Sequence, residues 1–153
     1  MTALEDLLKT KFRNLNQKTI INLIVTSSLI NNKLQKILKQ YDIAPPQYNV
    51  LRILKGQYPN AVSVNIIKER MMDANSDVSR IIDRLYKKGL VLRKECPHDR
   101  RQKDVTITQK GIDLLNEIKL NKYEDDLISA LSDEEKEQLN QLLDKLRDYI
   151  YKE

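Results

Sequence analysis

The sequence predicts a mainly α-helical protein interrupted once by a β-hairpin, and three observations carry that prediction. Leucine and isoleucine recur at three- and four-residue spacing over most of the chain, the signature of amphipathic helices. Only 3 glycines and 4 prolines occur in 153 residues, so few points break a helix. The exception lies at residues 90–94 and 105–108, where apolar and alternating runs read as two strands.

The elements follow in order. Ile20, Leu23, Ile24, Ile30, Leu34, Ile37, Leu38 and Tyr41 mark a long amphipathic helix over about residues 17–41, with Leu4, Leu7 and Leu8 forming a short helical lead-in. Pro45-Pro46 stops the chain and opens the next helix, because proline is tolerated in a first turn. Val50, Leu51, Ile53 and Leu54 are its buried side. A loop through Pro59 and Asn60 leads to a third helix over about residues 62–71, and a turn at Asp73-Ala74 follows. Asn75, Ser76 and Asp77 then supply side-chain oxygens that cap free amides at a helix start. The helix behind them buries Val78, Ile81, Ile82 and Leu85 and stops at Lys87-Lys88-Gly89, with cations in the last turn and glycine after it.

The segment between the two strands, residues 95–104, reads as a protruding basic loop, too long and too charged for a tight turn. Thr108 is placed to cap one further helix running through Ile112, Leu115 and Ile118 to Leu131. Ser132 and Glu135 have the spacing of a capping box and open a last helix carrying Leu139, Leu142, Leu143, Leu146, Tyr149 and Ile150. The apolar stripes of the first and last helices fit an intramolecular bundle and an intermolecular one equally well.

Charge narrows the function. The net charge is only +5, but residues 75–110 hold ten lysines and arginines against five acids, whereas residues 121–153 hold five against ten. A basic middle and an acidic tail suit a polyanion-binding face carried on a solvated helical part; ordinary solvated surfaces would give the same totals. No apolar run approaches the roughly 18 residues a membrane span needs, and no signal-peptide pattern opens the chain, so a cytoplasmic protein with no membrane partner is expected. One cysteine and one histidine cannot close a four-ligand metal site. No glycine-rich phosphate loop, paired-carboxylate cleft or nucleophile–histidine–acid set is present, so neither catalysis, metal nor cofactor is expected.

Two short helices joined by a tight turn and followed by a hairpin have the layout of a winged helix-turn-helix. Such a second helix fits the major groove of B-form DNA, with its N-terminal residues at base edges. Asn75, Ser76, Asp77, Ser79, Arg80 and Arg84 lie opposite the apolar side of that helix and are the candidate contacts. Asp77 has two uses, accepting from cytosine N4 or capping its own helix. At the wing, Arg100, Arg101 and Lys103 suit a narrow minor groove or phosphates, and Asp99 is placed to hold a guanidinium.

The same residues resemble the MarR family of bacterial regulators. Its recognition helix ends Asp-Arg-Leu-x-x-Lys-Gly, matched by Asp83-Arg84-Leu85 and Lys88-Gly89. Its wing carries Asp-x-Arg, matched by Asp99 and Arg101, and its following Leu-Thr-x-x-Gly is matched by Ile107-Thr108 and Gly111, with Ile in place of Leu. The resemblance implies a winged helix-turn-helix lobe over residues 45–111, with dimerisation helices over residues 1–44 and 112–153. It implies a homodimer on a pseudo-palindromic double-stranded DNA operator, Arg101 as the wing arginine with Asp99 as its ion-pair partner, and a repressor released by a small aromatic or anionic effector. No residues are assigned to an effector pocket. Two alternatives stay open: a winged-helix module for protein association, its basic wing meeting an acidic partner, and a thiol-redox-sensing regulator. Cys96 sits among cations that lower a thiol pKa, although peroxide sensors of the family carry their cysteine in the first helix.

Overall fold

The computed structural model describes residues 3–152; the side chains of Cys96 and Arg100, two of the residues singled out above, lie outside what is described. The elements are α1 (Leu4–Leu8), α2 (Leu15–Lys39), α3 (Pro45–Gln57), β1 (Val62–Ser63), α4 (Val64–Arg70), α5 (Val78–Lys87), β2 (Val91–Cys96), β3 (Asp99–Ile107), α6 (Gln109–Glu117), α7 (Leu120–Ile128) and α8 (Asp133–Lys152). The chain divides into two compact units, residues 1–118 and 119–153.

In the first unit, α3, α4 and α5 pack with a three-stranded antiparallel sheet of order β1-β3-β2. Its core is aliphatic. Leu38, Val50, Leu51, Ile67, Leu85 and Val105 are all fully buried. Local chemistry fixes the ends of the elements that matter for function. Ser63 Oγ accepts the Ile66 amide to start α4, and Asn49, a buried polar residue of α3, accepts the Met72 amide at 2.9 Å. That bond ties the turn between α4 and α5 to the core.

Helix α5 ends as its glycine predicted. Gly89 has φ +72°, its amide donates to Tyr86 and the Leu90 amide donates to Leu85, while Leu85 and Leu90 are both buried. Paired bonds of this kind satisfy the last carbonyls of a helix and turn the chain sharply into β2. Thr108 caps α6 by accepting the Gly111 amide and donates its own hydroxyl to the Gly89 carbonyl at 2.7 Å. One side chain thereby joins both ends of the wing. Gly111 is required for another reason: a Cβ there would stand 2.5 Å from the Leu90 carbonyl oxygen.

Three elements differ from the sequence expectation. Residues 62–63 form a strand before α4 starts, because Val62 pairs with Val105 and Ser63 is both strand end and helix cap. The segment read as a long wing loop is paired almost to its tip. Cys96 lies opposite Asp99 across a two-residue turn at Pro97-His98, and a bulge at residues 100–102 absorbs the extra length before Lys103 meets Glu95. The helix expected from Thr108 to Leu131 is two helices. Ile118 leaves helical geometry at ψ 95° and Lys119 at ψ 59°, so α6 and α7 are separate.

The second unit holds α7 and α8. Ser132 and Glu135 make the expected capping box, with the Ser132 amide donating to Glu135 at 2.8 Å and the Glu135 amide to Ser132 Oγ at 3.3 Å. No described residue of α8 is buried. Among the described residues, no helix is long and apolar enough to cross a membrane.

Candidate nucleic-acid interface

Helix α5 is built to present one face. Val78, Ile82 and Leu85 are at most 2% exposed, so Ser79, Arg80 and Arg84, on the other side, are held in solvent. Asp77 is the N-cap: its carboxylate accepts the Arg80 amide at 3.2 Å. Of its two possible uses, capping is the one realised in the free protein. Asn75 and Ser76 precede the helix in the turn, where the Asn75 amide donates to Asp73 Oδ1 at 2.9 Å and the Ser76 amide to the Asp73 carbonyl at 3.2 Å. Asn75 is exposed and Ser76 half-buried.

On the wing, Asp99, Arg101 and Lys103 are exposed. Asp99 Oδ1 accepts the Arg101 backbone amide at 2.9 Å. Among the described residues, Asp99 therefore shapes the turn that carries Arg101, rather than pairing with its guanidinium.

Helix and wing enclose a groove of about 330 Å³. Ser79 and Asp83 of α5, Arg93 of β2, and Arg101 and Lys103 of β3 line it, together with Asn65 and Lys68 of α4. Arg93 forms an ion pair with Asp83, and its guanidinium carbon lies 4.4 Å from the centre of the Tyr86 ring. Sequence reasoning did not name Asn65, Lys68, Tyr86 or Arg93 as site residues, and it placed Asp83 only in the family motif. Its available signal was an acid, Asp83, on an otherwise cationic helix face, which asks for a partner nearby.

On the other side of α5, Arg84 and Lys87 line a more open groove of about 620 Å³ with Lys39 of α2 and Gln47 of α3. Lys88 borders it, held by Asp42 at 3.0 Å. A smaller groove of about 290 Å³ brings Ser76, Asp77, Arg80 and Arg84 beside Ala44 and Gln47 at the start of α3. Arg84 thus borders both. Among the described residues, no group of three or more His, Cys, Asp or Glu is arranged to hold a metal ion.

This arrangement is that of known regulators. The MarR family model matches residues 43–103, from the start of α3 into the wing. The HTH-type transcriptional regulator MhqR of Bacillus subtilis is 33% identical over 121 residues, covering 76% of this chain and 81% of that protein. The chain belongs to the MarR family. Transcriptional repressor MprA of Escherichia coli K12 is 31% identical over 122 residues, covering 78% of this chain and 69% of that protein. Among solved structures, the Staphylococcus aureus MepR–DNA complex superposes with a TM-score of 0.73 at 26% identity, covering 84% of this chain and 93% of MepR. As a MarR protein the chain is a winged-helix transcriptional regulator and not an enzyme. The matched span includes the turn before α5, α5 itself and the wing through Lys103, and so every candidate contact predicted from the sequence.

Proposed function

We propose that the protein binds a pseudo-palindromic duplex as a homodimer and represses transcription until a small ligand releases it. The observation that carries this reading is the joint exposure of Ser79, Arg80 and Arg84 on α5 with Arg101 and Lys103 on the wing. Helix α5 enters the major groove, where Arg80 and Arg84 read base edges and Asn75, Ser76 and Ser79 lie beside them. Asp77 holds the helix start. The wing, with Arg100, Arg101 and Lys103, enters the adjacent minor groove or clamps its phosphates, and Asp99 sets the Arg101 turn. MepR, solved in complex with DNA, supports a duplex as the target.

Dimerisation uses residues 1–44 and 112–153 around the lobe at 45–111. Leu15, Ile20, Ile24 and Leu29 of α2, and Leu142, Tyr149 and Ile150 of α8, are more than half exposed in the single chain. Contiguous apolar stripes of this kind mark association surfaces. An aromatic or anionic effector fits the groove of about 620 Å³, where Lys39, Arg84 and Lys87 are gathered. The protein works in the cytoplasm, where its duplex is.

Selection of bound duplexes from a random pool, with a salt series on the winner, tests this. An inverted repeat with half-sites about one helical turn apart is the expected result. Loss of a bidentate contact in Arg80→Ala should cost about 1–3 kcal/mol at one position. Arg101→Ala should weaken all sequences and lower the salt slope by about 0.9 per lost phosphate contact. Failure to enrich any sequence, with weak binding that salt abolishes, would overturn the reading in favour of an acidic protein partner.

A further inference from the structure

The turn between α4 and α5 holds an apolar side chain out in solvent on a fixed backbone. Met72 is 80% exposed, more than any other large apolar side chain described in residues 45–111. We infer that Met72 reads the 5-methyl group of a thymine in the major groove, as a specificity-determining contact beside α5; the inference rests on the duplex-binding reading above.

A single exposed apolar residue on a loose loop would ask for no ligand. Here the backbone is pinned. Helix α4 ends where Met71 turns to ψ 137°, its amide donating to the Lys68 carbonyl and its side chain half-buried. The next amide, that of Met72, donates to Asn49 Oδ1 at 2.9 Å, and Asn49 is only 9% exposed. Asp73 then accepts the Asn75 amide through its carboxylate and the Ser76 amide through its carbonyl. Asp77 accepts the Arg80 amide and opens α5. Hydrogen bonds at Met72, Asn75 and Ser76 thus fix the path from one helix to the next, with the Met72 thioether left outside it.

The other candidate readers are all polar. Asn75, Ser76, Ser79, Arg80 and Arg84 offer hydrogen bonds or charge, whereas Val78, the first residue of α5, is 1% exposed and spent on the core. Polar side chains sort base edges by donor and acceptor, but the thymine methyl is an apolar feature of the major groove and needs an apolar surface to sense it. Met72 supplies that surface next to the α5 N-terminus, where base edges are met. An unbranched, polarizable side chain adapts well to so small a target. Taking one methyl group out of water corresponds to about a fourfold gain in affinity per half-site.

The test uses the full-length protein and the duplex enriched from the random pool, which should carry a thymine at one fixed position in each half-site. Every thymine of one half-site is replaced in turn by deoxyuridine, which lacks only the methyl group. Wild type should bind about fourfold more weakly at that one position. Met72→Ser should bind the thymine duplex about fourfold more weakly and no longer distinguish it from the deoxyuridine duplex. Met72→Leu should keep the distinction, and both variants should melt as the wild type does, since the side chain is exposed in the free protein. Equal wild-type affinity for thymine and deoxyuridine at every position would overturn the inference. So would an undiminished distinction in Met72→Ser, or a loss in that variant shared equally by all sequences, which would put Met72 against the sugar-phosphate backbone. A wild-type protein that enriches no duplex would overturn the underlying duplex-binding reading instead, a distinguishable result.

Discussion

Helices α5 and α8 are both amphipathic, but they stand in opposite relations to their own chain. In α5 the apolar residues Val78, Ile82 and Leu85 are buried to 2% exposure or less, and the polar side is left for a ligand. In α8 no described residue is buried, and Leu142 and Ile150 remain 65% and 60% exposed. The apolar side of α5 is thus satisfied within the chain, whereas that of α8 is left exposed in it. Burial here separates the part proposed to read DNA from the part proposed to pair.

The sharpest way to break that contrast is to charge the α8 stripe. Leu142→Glu should leave the α5 lobe folded but convert the dimer to monomer, with operator affinity falling by about 100-fold or more, because an unpaired charge in an apolar interface costs several kcal/mol. Sedimentation and duplex titration on the same sample check both halves. If the variant stays dimeric, the α8 stripe is not the pairing surface. Leu85→Ala should do the reverse, destabilising the lobe by about 2–5 kcal/mol at a fully buried site while leaving association through α8 intact. Denaturant unfolding reports the loss. Asp77→Ala removes the α5 cap and should cost about 1 kcal/mol, seen as a lowered urea midpoint.

The smallest effect concerns pH. Asp133 is held below the usual carboxylate range first by the Lys136 hydrogen bond and then by that ammonium's charge. Glu134 is held low by a backbone hydrogen bond and then by the Ser132 hydroxyl. Both pKa values are lower folded than unfolded, so their contribution is present above the ordinary carboxylate pKa and is lost as pH falls through the depressed folded values. Acidification should loosen the first turn of α8 as pH falls through those depressed values. Carboxyl and amide NMR shifts through an acid titration would show the first-turn amides responding as Asp133 and Glu134 protonate, and first-turn amides unchanged once both are protonated would contradict it.

Most of this architecture was legible because apolar spacing reports burial directly. The helices, the Gly89 stop, the Thr108 cap and the Ser132–Glu135 box all depend on residues within a few positions of one another. What was not legible depends on partners far away in the sequence or on a missing pattern. A two-residue strand at Val62–Ser63 is too short to alternate. The outer hairpin is exposed on both faces, so Lys94, Glu95, Arg101 and Lys103 carry no apolar alternation to betray a strand. The break after α6 has neither glycine nor proline to announce it. At the site, the exposed cations of α5 and the wing could be named from spacing, but the Arg93–Asp83 ion pair joins residues on different elements, and only the fold brings them together.

The bulge at residues 100–102 has a consequence for how such a protein diverges. In an uninterrupted hairpin, gaining or losing one residue reverses which side chains face inward along the whole strand. Here β3 already departs from pairing between Asp99 and Lys103, so a change of length at that place is absorbed before it reaches Val105 and Ile107, which are buried at the sheet's base. The wing tip can lengthen, shorten or exchange its arginines while the core beneath keeps its register. A lineage can thus retune what the wing touches without refolding what carries it.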